Sequence, residues 1–450
     1  MRVRTLLGGL CVGALTLVLL PAPVTAAEPA CKTPPKPAQP NPELPWAQRM
    51  YAPDKKIWPF SRGRGVTVAV IDTGVSDDHQ QLAGKVSTGY DWVRKTAGGN
   101  EDCVAHGTAI ASVIVASRVD GIGFAGLAPD ARILPVRVSE KTVQDPGAEP
   151  PPDPETLVRA IVYAVNAGAK VLNITAVFYG AVPPRVAAAV HWAIGKGAVV
   201  VAPVGNGHDE SKDGKGNTDV DGKRGLMPYP AALEGVIGVG AIASDGSRVA
   251  QSQVGPYVDL VAPGGDVTAV GAGPVGHGQY TSTGIATAFV SATAALLLGA
   301  RTSLFPGLSG AALGRAVHDR ILATAGPSKG GRDSLAYGAG LVDPYRALTE
   351  PLQPGPSTAI RPLIAPPVDP VAEAAAAKRR LDDTVAIGFA VFVAVVVAAL
   401  VVGALTAPRG HRRRWRAGRR TMTETLPEPD EGPEFLAGEA LFLPAPEKNR

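Results

Sequence analysis

The sequence predicts an α/β fold, a mostly parallel sheet with helices on both faces, joined to one C-terminal transmembrane helix. Three observations carry this expectation. Between Gly65 and Ala347, apolar runs of strand length alternate with longer helical stretches, the pattern of a sheet covered on both sides. The chain has only three cysteines, too few for a disulfide-dense scaffold or a four-cysteine zinc site, so the fold must rest on an apolar core. Val385 to Ala407 is an apolar run whose one polar side chain is Thr406, and at helical rise it spans about 34 Å, enough to cross a bilayer.

Taken in order, Arg2 and Arg4 precede an apolar run from Leu6 to Leu20, and Thr25, Ala26 and Ala27 then offer a cleavage site. Residues 1–27 therefore read as a secretory signal peptide. Cys11 lies within that run and would leave with it; Leu10 before it, rather than a small residue, argues against a lipoprotein signal. Residues 28–64 form a Pro-rich extension. Up to residue 56 it contains Pro29, Pro34, Pro35, Pro37, Pro40, Pro42, Pro45 and Pro53, which predicts an extended arm with little regular structure, one that wraps the core or inhibits it.

The main domain is expected over 65–350. Val66 to Ile71, Ile133 to Val138, Val171 to Ile174 and Val199 to Pro203 read as buried strands, with helices at Thr108 to Ala116, Pro154 to Ala167 and Pro184 to Lys196;. Two surface insertions interrupt the alternation, Glu140 to Pro154 and Gly207 to Met227. Asp219, Asp221 and Gly222 resemble part of a calcium loop but lack its distal Glu and spacing, so no metal is predicted. Nor is any cofactor. A Pro-rich spacer, 351–384, leads to the transmembrane helix at 385–407.

The tail, 408–450, is basic and then acidic, and the net charge of +4 conceals this opposition. Arg409, Arg412, Arg413, Arg414, Arg416, Arg419 and Arg420 follow the span directly, so the positive-inside rule puts the tail in the cytoplasm and the main domain outside. Topology and anionic lipid explain the basic block without nucleic acid. The Gly and Pro content lacks a collagen period, and 45% hydrophobic residues exclude wholesale disorder;. In an oxidising compartment one disulfide, Cys31 to Cys103, is the economical reading, with two buried thiols as the alternative.

Three polar motifs interrupt the apolar pattern. Val68 to Gly74 sets Asp72 at the end of a buried strand, where α/β folds present functional side chains. His106-Gly107-Thr108 opens an apolar helix, and an Asp at a strand end can hold an imidazole in one tautomer while it serves as general base. Gly205-Asn206 ends another strand with an amide able to donate to an oxyanion.

With Gly126-Leu127-Ala128-Pro129, Val236 to Ala241 and Val261-Ala262-Pro263-Gly264, these motifs resemble the subtilisin family of serine proteases from about Gly65 to Leu348. The signal peptide, Pro-rich arm, Cys103 just before the histidine and the membrane helix resemble one branch, the mycosins, associated with actinobacterial type VII secretion. The resemblance implies Asp72 as the acid, His106 as the base and Asn206 as the oxyanion donor. It also implies a nucleophilic serine in a Gly-Thr-Ser string, where this chain reads Ser282-Thr283-Gly284-Ile285-Ala286. Ungapped alignment through Val290 to Leu296 puts Gly284 at the nucleophile position. Ser282 is two residues away, and two helical residues turn the face by about 200°. Ser291 is expected to be packed. The resemblance and this departure together predict a membrane-anchored, extracytoplasmic pseudoprotease with a structural or peptide-binding role in a type VII secretion membrane complex; an active endopeptidase is the alternative. Ile174 to Val177 would either line the peptide cleft or pack the core.

Overall fold

The computed structural model describes residues 42–141, 153–208, 226–271 and 273–352, together with Gly388 and Val396. The chain divides into two units, Met1–Gln353 and Pro354–Arg450. In the second, Gly388 and Val396 are helical. The signal peptide, Cys31, the residues resembling a calcium loop, most of both insertions and the tail lie outside the described residues. So does the rest of the expected span. Among the described residues no helix is long and apolar enough to cross a membrane.

The first unit is built on an eight-stranded sheet, β10-β9-β7-β5-β1-β4-β2-β3. Its centre consists of β1 (Thr67–Asp72), β4 (Arg132–Arg137), β5 (Val171–Ile174), β7 (Val199–Pro203), β9 (Val236–Ile242) and β10 (Leu260–Pro263), all parallel. At one edge β2 (Gly89–Asp91) joins β4 in parallel and β3 (Thr96–Gly98) turns back antiparallel. Continuous apolar runs form these central strands because both faces are covered. In β1, Val68 and Val70 enter one core while Ala69 and Ile71 enter the other, as the two-residue side-chain period requires.

On the first face lie α3 (His106–Val115) and α6 (Thr283–Gly299); α4 (Pro154–Asn166) and α5 (Pro184–Gly195) cover the second. Every residue of α6 from Thr283 to Leu298 is buried, so a helix without a polar stripe is here a central core helix. The sequence placed β4 one residue too late; α3 begins at His106, the residue read as opening the helix, two residues before the helical stretch expected from Thr108. Strands β5 and β7 agree with the expected bounds.

The expectation of a structureless arm is corrected over its C-terminal part. Trp46–Tyr51 (α1) and Pro53–Lys56 (α2) are helical. Gln48 and Tyr51 are buried; Gln48 Nε2 donates to the Ala125 carbonyl and Tyr51 Oη to that of Val342. The Tyr51 ring also meets Phe289 of α6 at 5.7 Å. Helices this short are marginal alone and form here because tertiary contacts hold them. Ala47 and Tyr51 of α1 thus belong to the core packing, with Trp46 and Met50 against it.

Candidate active site

The sheet reverses its winding direction at β1: the chain passes to β4 on one side and then crosses to β5 on the other. A crevice opens beyond the carboxyl ends of the strands at such a switch point. Asp72 is the last residue of β1 and is 3% exposed. His106, the first residue of α3, is 7% exposed. Its Nδ1 lies 2.9 and 3.0 Å from the two Asp72 carboxylate oxygens. The sequence-predicted acid and base are therefore brought together across 34 residues of chain.

Two glycines allow that approach. A Cβ on Gly107 would lie 2.1 Å from the Gly74 carbonyl oxygen, and one on Gly74 only 1.9 Å from that of Glu101. Gly74 also has φ +106°, outside the range comfortable for residues with a Cβ. The glycines of the two motifs are thus the contact points at which the segments bearing Asp72 and His106 meet.

Asp72 also accepts from the Thr73 N–H at 2.6 Å and from the Thr175 hydroxyl. Burial alone would push its carboxyl up. The His106 charge, with hydrogen bonds from His106, Thr175 and Thr73, outweighs burial and holds the group below the usual carboxylate range;. An ionised Asp72 facing Nδ1 fixes the imidazole tautomer, which turns Nε2 toward the other side of the ring.

Asn206 lies three residues beyond β7. Its Oδ1 accepts from both the N–H and the hydroxyl of Thr283, each at 3.0 Å. Those bonds orient the amide and tie it to the first residue of α6, next to Gly284. Gly284 is the second residue of that helix and is buried. Ser282 is the helix cap: its Oγ accepts from the Ile285 N–H at 3.1 Å. Ser291 is fully buried and its Oγ accepts from Asn173 Nδ2 at 2.9 Å, in line with the expected packing.

Ile174, Thr175, Ala176 and Val177 are all buried; Ile174 packs in the core, while Thr175 and Ala176 line the small cavity that also holds Asp72 and His106. Beyond them β6 (Phe178–Tyr179) pairs with β8 (Pro228–Tyr229). A Cβ on Gly205 would fall 2.5 Å from Tyr179 Oη, so the Tyr179 ring rests against the residue before Asn206. Cys103 is disulfide-bonded, and its partner lies outside the described residues. No group of three or more metal-ligating side chains occurs among the described residues.

Several contributors escaped the sequence reading. Thr73, Thr108 and Thr175 fall inside named segments without being given a role, while Asp102 and Asn173 carry no spacing signature. The same holds for a buried histidine pair near the site. His277, on β12 (His277–Tyr280), and His79 stack edge-on at 5.7 Å. His277 Nε2 faces Gln81 Oε1 at 2.7 Å. Burial and the neighbouring His79 lower the His277 pKa to about 4. Because the folded value lies below the unfolded one, this stabilisation is complete above about pH 6.5 and is lost as pH falls toward 4. Thermal unfolding midpoints should decline across that window, and His277→Gln should flatten the decline by an amount on the order of 1–3 kcal/mol. Parallel wild-type and variant curves would contradict this.

A buried Asp–His pair at the end of a strand and a helix N-terminus tied to an asparagine amide are the parts of a serine-protease type of site on a doubly wound α/β sheet. Residues 63–340 match the Subtilase family, and the chain belongs to that family as a mycosin-like member. It is 35% identical to Mycosin-1 of Mycolicibacterium smegmatis over 350 residues, which is 70% of this chain and 75% of that one. The crystal structure of MycP1 from Mycobacterium smegmatis aligns with TM-score 0.56 at 31% identity, covering 72% of this chain and 91% of that chain. A structure of the periplasmic assembly from the ESX-5 inner membrane complex gives 0.57 at 29% identity, covering 74% and 92%.

Proposed function

We propose that this chain is a membrane-anchored, catalytically impaired mycosin, a pseudoprotease with a structural role in a type VII secretion membrane complex. The observation that carries the impairment is Gly284. The residue held beside the oriented Asn206 amide at the N-terminus of α6 is followed by one with no side chain. Asp72 and His106 remain paired, so a base is present and the atom it would activate is absent. Ser282 is a poor substitute because its oxygen serves as a helix cap, and loss of a cap costs about 1 kcal/mol.

The type VII association rests on relatives described as MycP1 from the ESX-1 type VII secretion system and as part of an ESX-5 inner membrane complex. Peptide binding is the other form this role takes, since Thr175 and Ala176 line the cavity with Asp72 and His106. The signal peptide at 1–27, the extension at 28–64, the anchor at 385–407, the cytoplasmic tail and the Cys31–Cys103 pairing complete the proposal on sequence grounds. They place the main domain, 65–350, outside the cytoplasmic membrane, before the 351–384 spacer. In a strain lacking this chain, His106→Ala is expected to support type VII secretion at the wild-type level. Loss of secretion with a folded, normally abundant variant would favour the second reading, an active subtilisin-type endopeptidase, which the intact Asp72–His106 pair supports.

A further inference from the structure

The Asp72–His106 pair is held from behind by a third carboxyl group. Asp102 is 8% exposed and accepts from two sides. Its Oδ1 takes the Thr73 hydroxyl at 2.8 Å and the Val104 N–H at 3.3 Å; its Oδ2 takes the Thr108 hydroxyl at 2.6 Å and the Thr108 N–H at 2.8 Å. Burial pushes the Asp102 carboxyl up, bonds from Thr108 and Thr73 counter that, and the charge on Asp72 adds to the rise. A carboxylate is costly in such a place unless donors satisfy it.

The two threonines connect Asp102 to the pair. Thr73 follows Asp72 directly, donates its N–H to Asp72 Oδ1 at 2.6 Å, and accepts the Gly107 N–H on its Oγ1 at 3.1 Å. Thr108 is the third residue of the helix that His106 opens, and its Oγ1 accepts the Ser76 N–H at 3.0 Å. The residue at the helix cap position, Ala105, supplies no side-chain bond. Asp102 therefore performs the capping of α3 from further upstream, with its negative charge at the positive end of the helix.

We propose that Asp102 is a positioning residue for the Asp72–His106 pair, acting through Thr73 and Thr108. It joins the residue after Asp72 to the first turn of the His106 helix, so the separation of acid and base is set by a closed hydrogen-bond ring as well as by their own contact. The disulfide at Cys103 fixes the adjacent backbone. None of this depends on the nucleophile, and the inference stands or falls separately from the reading of Gly284.

The test is the proton on His106 Nδ1, which resonates far downfield when bound to a carboxylate. In proton NMR spectra of the full chain this signal is assigned by its loss in His106→Gln. Asp102→Asn and Thr73→Val are expected to abolish it or move it upfield. Thr73→Ser, which keeps the hydroxyl, should preserve it, and the distant core variant Ile321→Val should lower Tm without moving it. An unmoved signal in folded Thr73→Val or Asp102→Asn would overturn the proposal whatever happens to Tm, as would the lack of any such signal in the wild type. Thr73→Val leaves the charge on Asp102 unchanged, so it decides the matter if Asp102→Asn does not fold.

Discussion

Gly284→Ser is expected to be labelled by fluorophosphonates and to cleave peptides, where the wild type, as proposed above, does neither. Two of the parts that a serine at this position requires are each in place. Asp72 is ionised against His106 Nδ1, and Asn206 is oriented toward the N-terminus of α6 through Thr283. A nucleophile must come within hydrogen-bond reach of its base, about 3 Å, which makes the position of the oxygen decisive. In subtilisin, removing the serine alone costs about 2 × 10⁶ in kcat, nearly as much as removing the whole triad. Restoring it should therefore raise peptide hydrolysis by at least about 10³-fold, and His106→Ala in the same chain should abolish the gain. A folded Gly284→Ser variant that stays unlabelled would locate the defect in the cleft, where Tyr179 packs on Gly205.

The largest expected loss of stability comes from Arg137. It ends β4 opposite Asp72 and is fully buried. Its Nη1 bonds Asp91 at 2.8 Å and its Nη2 bonds Glu140 at 3.0 Å, with Cys103 Sγ 3.7 Å from Nη2. Asp91 is 4% exposed, and Arg137→Ala removes its charged partner from Oδ2 in the interior, leaving only the Val93 and Arg94 N–H groups on Oδ1. Breaking a buried pair from one side costs about 3–5 kcal/mol, which a thermal or urea unfolding curve would show directly. Because a buried pair can be replaced by apolar groups at little cost, Arg137→Met with Asp91→Leu should recover part of the loss, limited by the Val93 and Arg94 N–H groups that lose Asp91 as acceptor. A double variant as unstable as Arg137→Ala would mean that the arginine acts chiefly through Glu140 and the Cys103 loop.

How much of this was legible in the sequence varied with the physics of each element. Strands β1, β5 and β7 are covered on both faces, so they read as apolar runs closed by Asp72, Asn173-Ile174 and Pro203. The arm misled because its prolines suggest extended chain, whereas α1 is fixed by Gln48 and Tyr51 reaching residues far along the sequence. Short edge pieces such as β2, β3 and the β11–β12 hairpin (β11, Val267–Val270) are too brief or too polar to show a period. In the site, Asp72, His106 and Asn206 stand out as polar residues at the ends of apolar runs. Asp102 does not, since its importance arises only when Gly74 and Gly107 let two segments touch.

Whether Gly284 leaves the site without a nucleophile is read by treating the wild-type chain with a fluorophosphonate and mapping adducts by mass spectrometry, with Gly284→Ser alongside. The predicted result is an unmodified wild type and a variant modified at the introduced serine. An adduct on Ser282 of the wild type, dependent on His106, would contradict it.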